Sequence, residues 1–213
     1  MSDKLKLYHA VNSPNSRRVR IFLAEKGLKP TLISVDLGAG EQHSEAYRAT
    51  NPRCVVPALV LDDGTTIAEV PAIMRYLDEA FPDTPLLGAT SKDKGLVVMW
   101  ERFAELEGFA PVMEGVRNKA ERLKGRAIAG PHGYEQIPAL VDRSVLRVQN
   151  FLADLNGRLE QVPFVAGKRF SAADITALVT IDFAKALDIS IPQGHRALMR
   201  WKDAVSARPS MSA

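Results

Sequence analysis

The stretch from Asn51 to Leu77 constrains the chain more than any other, because its hydrophobic period changes partway along. Two short β-prone runs, Ala58 to Leu61 and Thr65 to Ile67, flank Asp62-Asp63-Gly64. An Asp-Gly step between such runs marks a hairpin, since the turn needs a positive φ that glycine adopts at little cost. Beyond Ile67 the period becomes helical, with Ile73, Tyr76, Leu77 and Phe81 on one stripe and Pro71 where a first-turn proline is harmless. The stretch therefore predicts strand, tight turn, strand, helix. Pro57 stands just ahead of the first strand, where a missing N–H is tolerated, and locally it reads as a trans proline opening that strand.

Upstream, Leu5 and Leu7 alternate with Lys4 and Lys6, the pattern of a strand with one buried face from Lys4 to Tyr8. Ser13-Pro14 has the order of an N-cap and a first helical residue. Val19, Phe22 and Leu23 mark the buried face of the helix that follows. Gly27 closes it, with Leu28 placed to touch Leu23 as a Schellman motif requires. Thr31 to Val35 is the next β-prone run, and Glu41 to Thr50 reads as one short helix. The order is β-α-β, α, β-β-α, the thioredoxin-like arrangement. Residues 82–90, rich in proline and glycine, break all periodicity and predict a linker. Beyond it the pattern is helical throughout. A long stretch starts near Lys92, carries Leu96, Met99, Trp100 and Phe103 on a stripe that reads as core, and is kinked or interrupted by Pro111. Gly125 to Pro138 reads as a loop, Val141 to Leu159 and Arg196 to Ala207 as helices. Ser171 and Asp174 have capping-box spacing, with Phe170 and Ile175 as a hydrophobic staple.

The sum is an α/β thioredoxin-like N-terminal domain over residues 1–81 and an all-α helical bundle over residues 91–213. No apolar run has the length of a membrane span, and the N-terminus enters a strand without a signal-like core. The single cysteine, Cys54, excludes an internal disulfide and dithiol chemistry and fits a reducing compartment. The charge of +3 is mild and its Lys and Arg are spread, which does not suggest nucleic acid. No internal repeat is evident.

Val56-Pro57 before the hairpin, Glu69 at the entrance of the following helix and the capping box at Ser171 together resemble the glutathione S-transferase family, over nearly the whole chain. The nearest likeness is to its serine-type, bacterial-like members. The resemblance implies a cis Val56-Pro57 peptide, with the backbone N–H and C=O of Val56 turned outward to pair with the cysteinyl backbone of glutathione. It implies Ser13 as the residue that holds glutathione as its thiolate, although the same serine read locally is a plain N-cap. Asn15 is the second candidate, while Ser16 is weaker, and Arg17 and Arg18 read as solvated helix charges. Glu69 would meet the γ-glutamyl amine and the Val70 N–H its carboxylate, and Gln42 and His43 match the region that contacts the glycyl carboxylate, a solvated surface helix being the alternative there. Three positions depart from the family pattern: Cys54 replaces a glycine, Val55 a frequent glutamine, and Val70 a serine.

The resemblance further implies glutathione as co-substrate with no metal, a small-molecule electrophile, and a cytoplasmic homodimer of detoxifying type with neither nucleic acid nor membrane as partner. The electrophile would lie against the first helices of the bundle, where Met99, Trp100, Phe103 and Met113 are candidates and plain core is the alternative. Two rival functions share the fold: a non-catalytic binding or regulatory protein, favoured by Cys54, Val55 and Val70, and a glutathione-dependent lyase or ether-cleaving enzyme.

Overall fold

A computed structural model describes residues 4–213, so Met1 to Asp3, which precede the first strand, lie outside the described residues. The chain divides into two compact units between Thr84 and Pro85, within a segment from 81 to 90 that holds neither helix nor strand. Ala129–His132 and Ser212–Ala213 group with the first unit.

In the first unit the elements run β1 (Lys6–His9), α1 (Pro14–Glu25), β2 (Thr31–Ser34), a 3-10 turn (Glu41–His43), α2 (Glu45–Thr50), β3 (Ala58–Val60), β4 (Thr66–Ala68) and α3 (Val70–Ala80). The four strands form one sheet in the order β2-β1-β3-β4, with β1 parallel to β2 and antiparallel to β3, and β3 antiparallel to β4. This is the expected thioredoxin-like order. Alternation works as predicted: Leu5 and Leu7 are buried while Lys4 and Lys6 are exposed. Val19, Phe22, Leu59, Ile73 and Leu77 complete the core under α1 and α3.

Local chemistry explains the ends of these elements. Gly27 takes φ +67, the Leu28 N–H reaches the Leu23 carbonyl at 2.9 Å and the Gly27 N–H the Ala24 carbonyl at 3.0 Å, which is a Schellman closure. In the hairpin, the Leu61 N–H bonds the Thr65 carbonyl at 2.9 Å around a glycine, Gly64, at φ +87. The single helix predicted from Glu41 to Thr50 is instead broken at Ser44, which is extended and caps α2 by accepting the Tyr47 N–H at 3.2 Å. One tertiary clamp secures the unit: Lys26, past the end of α1, places its ammonium 2.9 Å from Asp78 on α3 and 2.7 Å from the Thr84 carbonyl, with both side chains buried. Removing one partner of such a buried pair costs about 3–5 kcal/mol.

The second unit is helical: α4 (Ser91–Phe103), a π-helical segment (Ala104–Phe109), α5 (Ala110–Lys119), α6 (Ala139–Gln161), α7 (Ala172–Ala184) and α8 (Arg196–Ser206). The interruption expected at Pro111 is realised one turn ahead of it. Pro111 has no N–H to continue the ladder, and the chain re-registers so that the Ala110 N–H bonds the Glu105 carbonyl, five residues back. The Leu106 carbonyl within the widened turn is taken by Arg147 at 2.8 Å. Gly108 lets this segment approach α6, since a Cβ there would stand 2.8 Å from the Phe151 ring. The centre of the bundle is α7, buried along almost its whole length, as an all-round apolar helix must be. The predicted box at its start forms, with the Ser171 N–H bonding Asp174 at 3.0 Å.

The stripe read as core on α4 is only partly so. Leu96 and Met99 are exposed, Trp100 and Phe103 half-buried, and the buried positions of α4 are Val97 and Glu101, followed by Ala104 in the π-helical segment. The helix turns its Val97 side inward, where Glu101 accepts the Thr176 hydroxyl of α7 at 3.1 Å.

Candidate functional site

The sheet register gathers the candidate residues at one end. Tyr8 pairs with Ala58 and Ala58 with Ala68, so the exit of β1, the entry to β3 and the exit of β4 lie side by side. The exit of β2 joins them, the Val35 N–H bonding the His9 carbonyl at 2.8 Å. From these four points spring the β1–α1 turn with Ser13 and Asn15, the segment carrying Gln42 and His43, the Val56-Pro57 step, and Glu69-Val70. Ala10 and Val56 share one small apolar cluster with Val35, Tyr47 and Tyr8, and an exposed ion pair at 3.5 Å joins Arg53 to Glu69.

Ser13 is the N-cap of α1: extended, buried, and accepting the Ser16 N–H on Oγ at 3.3 Å. An N-cap uses the hydroxyl oxygen as acceptor, and the Ser13 proton is committed to no acceptor among the described residues. Ser16, fully buried, serves the turn itself, its Oγ accepting the Ala10 N–H at 3.2 Å. Asn15 Oδ1 accepts from the Arg18 guanidinium at 3.2 Å, which leaves the amide NH2 as the group it could offer a sulfur. Arg18 is fully buried, against the expectation of a solvated charge, because burial extends round α1 to Arg18 as well as to Val19 and Phe22.

The loop before β3 is held by residues that sequence reasoning missed. The Val55 carbonyl accepts both the Tyr47 hydroxyl at 2.6 Å and the Asn51 amide at 2.8 Å. Burial pushes the Tyr47 phenol up to about 12, so it remains a donor throughout the physiological range. Cys54 adopts φ +55, which is why a glycine suits its place; a side chain there costs about 1–2 kcal/mol. Its thiol is buried and turned to the Pro52 carbonyl at 3.6 Å. The Val56–Pro57 peptide is cis, as the resemblance implies, and neither the N–H nor the C=O of Val56 bonds to a described residue. The only advance signal for this clamp is an aromatic residue and an asparagine at Tyr47 and Asn51, beside the loop they close.

At the entrance of α3, Glu69 is the N-cap at φ +72 without a capping side-chain bond, and Val70 is the first helical residue with its side chain buried. The first-turn N–H groups of α3, including that of Val70, face outward from the helix end, the ordinary setting for an anion. Gln42 is buried and its Oε1 meets no donor among the described residues. His43 is half-buried, and its backbone carbonyl accepts from Arg48 at 3.0 Å. Among the described residues no group of three or more His, Cys, Asp or Glu is arranged to hold a metal ion. No helix there is long and apolar enough to cross a membrane.

Family models for the glutathione S-transferase N-terminal and C-terminal domains match residues 12–80 and 119–209. Glutathione S-transferase 2 of Saccharomyces cerevisiae is 33% identical over 230 residues, covering 99% of this chain and 89% of that protein. Glutathione S-transferase GstA of Escherichia coli O157:H7 is 28% identical over 196 residues, 90% of this chain and 88% of its own. Among solved structures, a glutathione S-transferase domain-containing protein of Marinobacter aquaeolei VT8 superposes with a TM-score of 0.89 at 36% identity, covering 97% of this chain and 99% of that one. Gtt2 of Saccharomyces cerevisiae does so with a TM-score of 0.88 at 32% identity, covering 97% and 98%. With both of its halves matched by the family's domain models and a one-third identical relative spanning nearly its full length, the chain belongs to the glutathione S-transferase family.

Proposed function

We propose that this chain is a glutathione S-transferase that binds glutathione in its first domain, holds it as the thiolate, and transfers the sulfur to an electrophilic small molecule. One observation carries the assignment of roles: Ser13 satisfies its helix with the oxygen and keeps its proton free, at the end of the sheet where Val56, Glu69 and Gln42 also lie. Free glutathione is a cysteine thiol with a pKa near 8.5, and lowering it by two units requires about 2.7 kcal/mol in favour of the anion. A hydroxyl bonded to the charged sulfur supplies about 1.5–3 kcal/mol and the α1 N-terminus up to about 1 more. The two together suffice without a metal or an acid–base relay. Asn15 is the second candidate, through its NH2.

In this reading the Val56 N–H and C=O pair with the cysteinyl backbone, beside Pro57. Glu69 receives the γ-glutamyl ammonium, the Val70 N–H the γ-glutamyl carboxylate, and Gln42 with His43 the glycyl end. Residues 1–81 form the glutathione-binding domain, 82–90 the linker and 91–213 the helical domain. We place the protein in the cytoplasm, a reducing compartment suited to a free buried Cys54, as a detoxifying homodimer.

Ser13→Ala separates the catalytic role from the cap. It is expected to raise the pKa of bound glutathione by one unit or more and to lower conjugation of a chlorodinitrobenzene acceptor at neutral pH by about tenfold, while costing only about 1 kcal/mol of stability. An unchanged thiol pKa makes Ser13 a cap alone and transfers the role to Asn15.

A further inference from the structure

Arg20 sits two turns into α1, yet its half-buried side chain runs back over the β1–α1 turn. One terminal nitrogen, Nη1, lies 3.3 Å from the Ala10 carbonyl and 3.3 Å from Nδ1 of His9; the other, Nη2, donates to the Val11 carbonyl at 3.1 Å. Two successive carbonyls are thereby spanned by one rigid fork, which a flexible ammonium cannot reproduce. Ala10 is the junction of the turn. Its carbonyl also accepts the Ser13 N–H at 3.1 Å, and its N–H goes to Ser16 Oγ at 3.2 Å. Val11 and Asn12 between them are exposed.

We propose that Arg20 is a positioning residue for Ser13, fixing through the Ala10 and Val11 carbonyls the direction in which the Ser13 hydroxyl meets the glutathione sulfur. The inference rests on the reading of Ser13 given above. A plain stabilising role does not require a guanidinium here. The cap of α1 is already made by Ser13, and no carboxylate among the described residues neutralises Arg20. Its fork goes instead to the backbone of the turn that carries the catalytic hydroxyl. His9 completes the strap as the acceptor of an Arg20 N–H, which requires Nδ1 unprotonated and the proton on Nε2. Burial, then the nearby Arg20 charge, holds the His9 imidazole below its ordinary pKa, so this acceptor is available at neutral pH. The turn is thus closed from two sides, by Ser16 at the Ala10 N–H and by Arg20 at the two carbonyls.

The test compares Arg20→Met, Arg20→Lys, Ser13→Ala and the Ser13→Ala/Arg20→Met double variant. Bound glutathione is titrated by thiolate ultraviolet difference absorbance, and turnover is measured with glutathione and a chlorodinitrobenzene acceptor. Arg20→Met is expected to raise the thiol pKa by about one unit and lower kcat near neutral pH by about tenfold, with KM for glutathione changed less than about threefold. Arg20→Lys recovers less than half of the loss, and the double variant is no slower than Ser13→Ala alone, as expected of residues acting as one unit. In ligand-free protein, NMR titration of His9 reports the strap independently: its pKa moves up toward the ordinary imidazole value in Arg20→Met. If Arg20→Met does not fold, Arg20→Gln, which donates to one carbonyl only, takes its place with the same expectations. Additive losses in the double variant, or unchanged turnover despite a shifted His9, overturn the proposal. A silent Ser13→Ala brings down the Ser13 reading and this inference with it, whereas a slow Ser13→Ala beside a silent Arg20→Met brings down this inference alone.

Discussion

A carboxylate with no exposure has to be held by donors, and Asp174 is held by four. Oδ1 accepts the Val165 N–H at 2.9 Å and the Trp201 indole N–H at 2.8 Å; Oδ2 accepts the Ser171 N–H at 3.0 Å and its hydroxyl at 3.1 Å. The residue therefore does more than cap α7, since it ties α8 and the segment before α7 to the same oxygen pair. Burial pushes its carboxyl up from 3.8 to about 6, with the four bonds pulling the other way. The folded value lies above the unfolded one, so its contribution to stability is complete below about pH 4 and is lost as pH rises through about 6. Two units correspond to about 3 kcal/mol, with the carboxylate ionised at neutral pH. Asp174→Ala leaves three buried N–H groups without an acceptor, and is expected to cost about 3–5 kcal/mol at neutral pH rather than the 1 or so of a lost cap. Urea unfolding of both proteins from about pH 4 to about pH 7 checks it: the stability advantage of the wild type over the variant shrinks as pH rises over that interval. A loss near 1 kcal/mol that does not change with pH would reduce Asp174 to a simple cap.

At the scale of elements, the entrance of α3 decides how an anion is met. Val70 is the first helical residue, not the cap, and its side chain points into the core with 4% exposure. The departure from a serine at this place therefore removes a hydroxyl but leaves the backbone N–H where the helix end presents it. Val70→Ser is expected to lose about 1–2 kcal/mol of stability through lost apolar burial, and to leave glutathione affinity unchanged. Calorimetry finding roughly tenfold tighter binding would mean that the hydroxyl reaches the ligand after all. Element ends of this kind were legible in the sequence because their chemistry is local: Gly27 with Leu28, Ser13 with Pro14, and Asp63 with Gly64 each act over a few residues. What escaped reading is held over distance. Lys26 finds Asp78 from 52 positions away, Arg18 is buried although charged, and Tyr47 and Asn51 close on Val55 only once the loop has folded. On α4 the apolar stripe was visible, but the side that faces inward is set by α7, through Glu101 and Thr176, and no local pattern fixes that choice.

At the scale of the whole molecule, that displaced stripe has a consequence. Leu96 and Met99 remain exposed by 37% and 53%, three residues apart on α4, and Leu106 by 46% in the π-helical segment that follows. Neighbouring exposed apolar side chains such as Leu96 and Met99, rather than ones scattered singly, are what an association surface offers. A homodimer built on it with twofold symmetry brings the same residues in from both chains, so that each substitution acts twice. The charge of +3 per chain opposes association only weakly at physiological salt, where screening acts within about 8 Å. The protein is therefore expected to sediment at twice its chain mass. Met99→Glu places two carboxylates in one desolvated face and should raise the dimer dissociation constant by about a hundredfold or more, without lowering the thermal midpoint of the separated chain. Sedimentation velocity across a dilution series measures this. A monomeric wild type would sink the homodimer, and a dimer indifferent to Met99→Glu would move its interface away from α4.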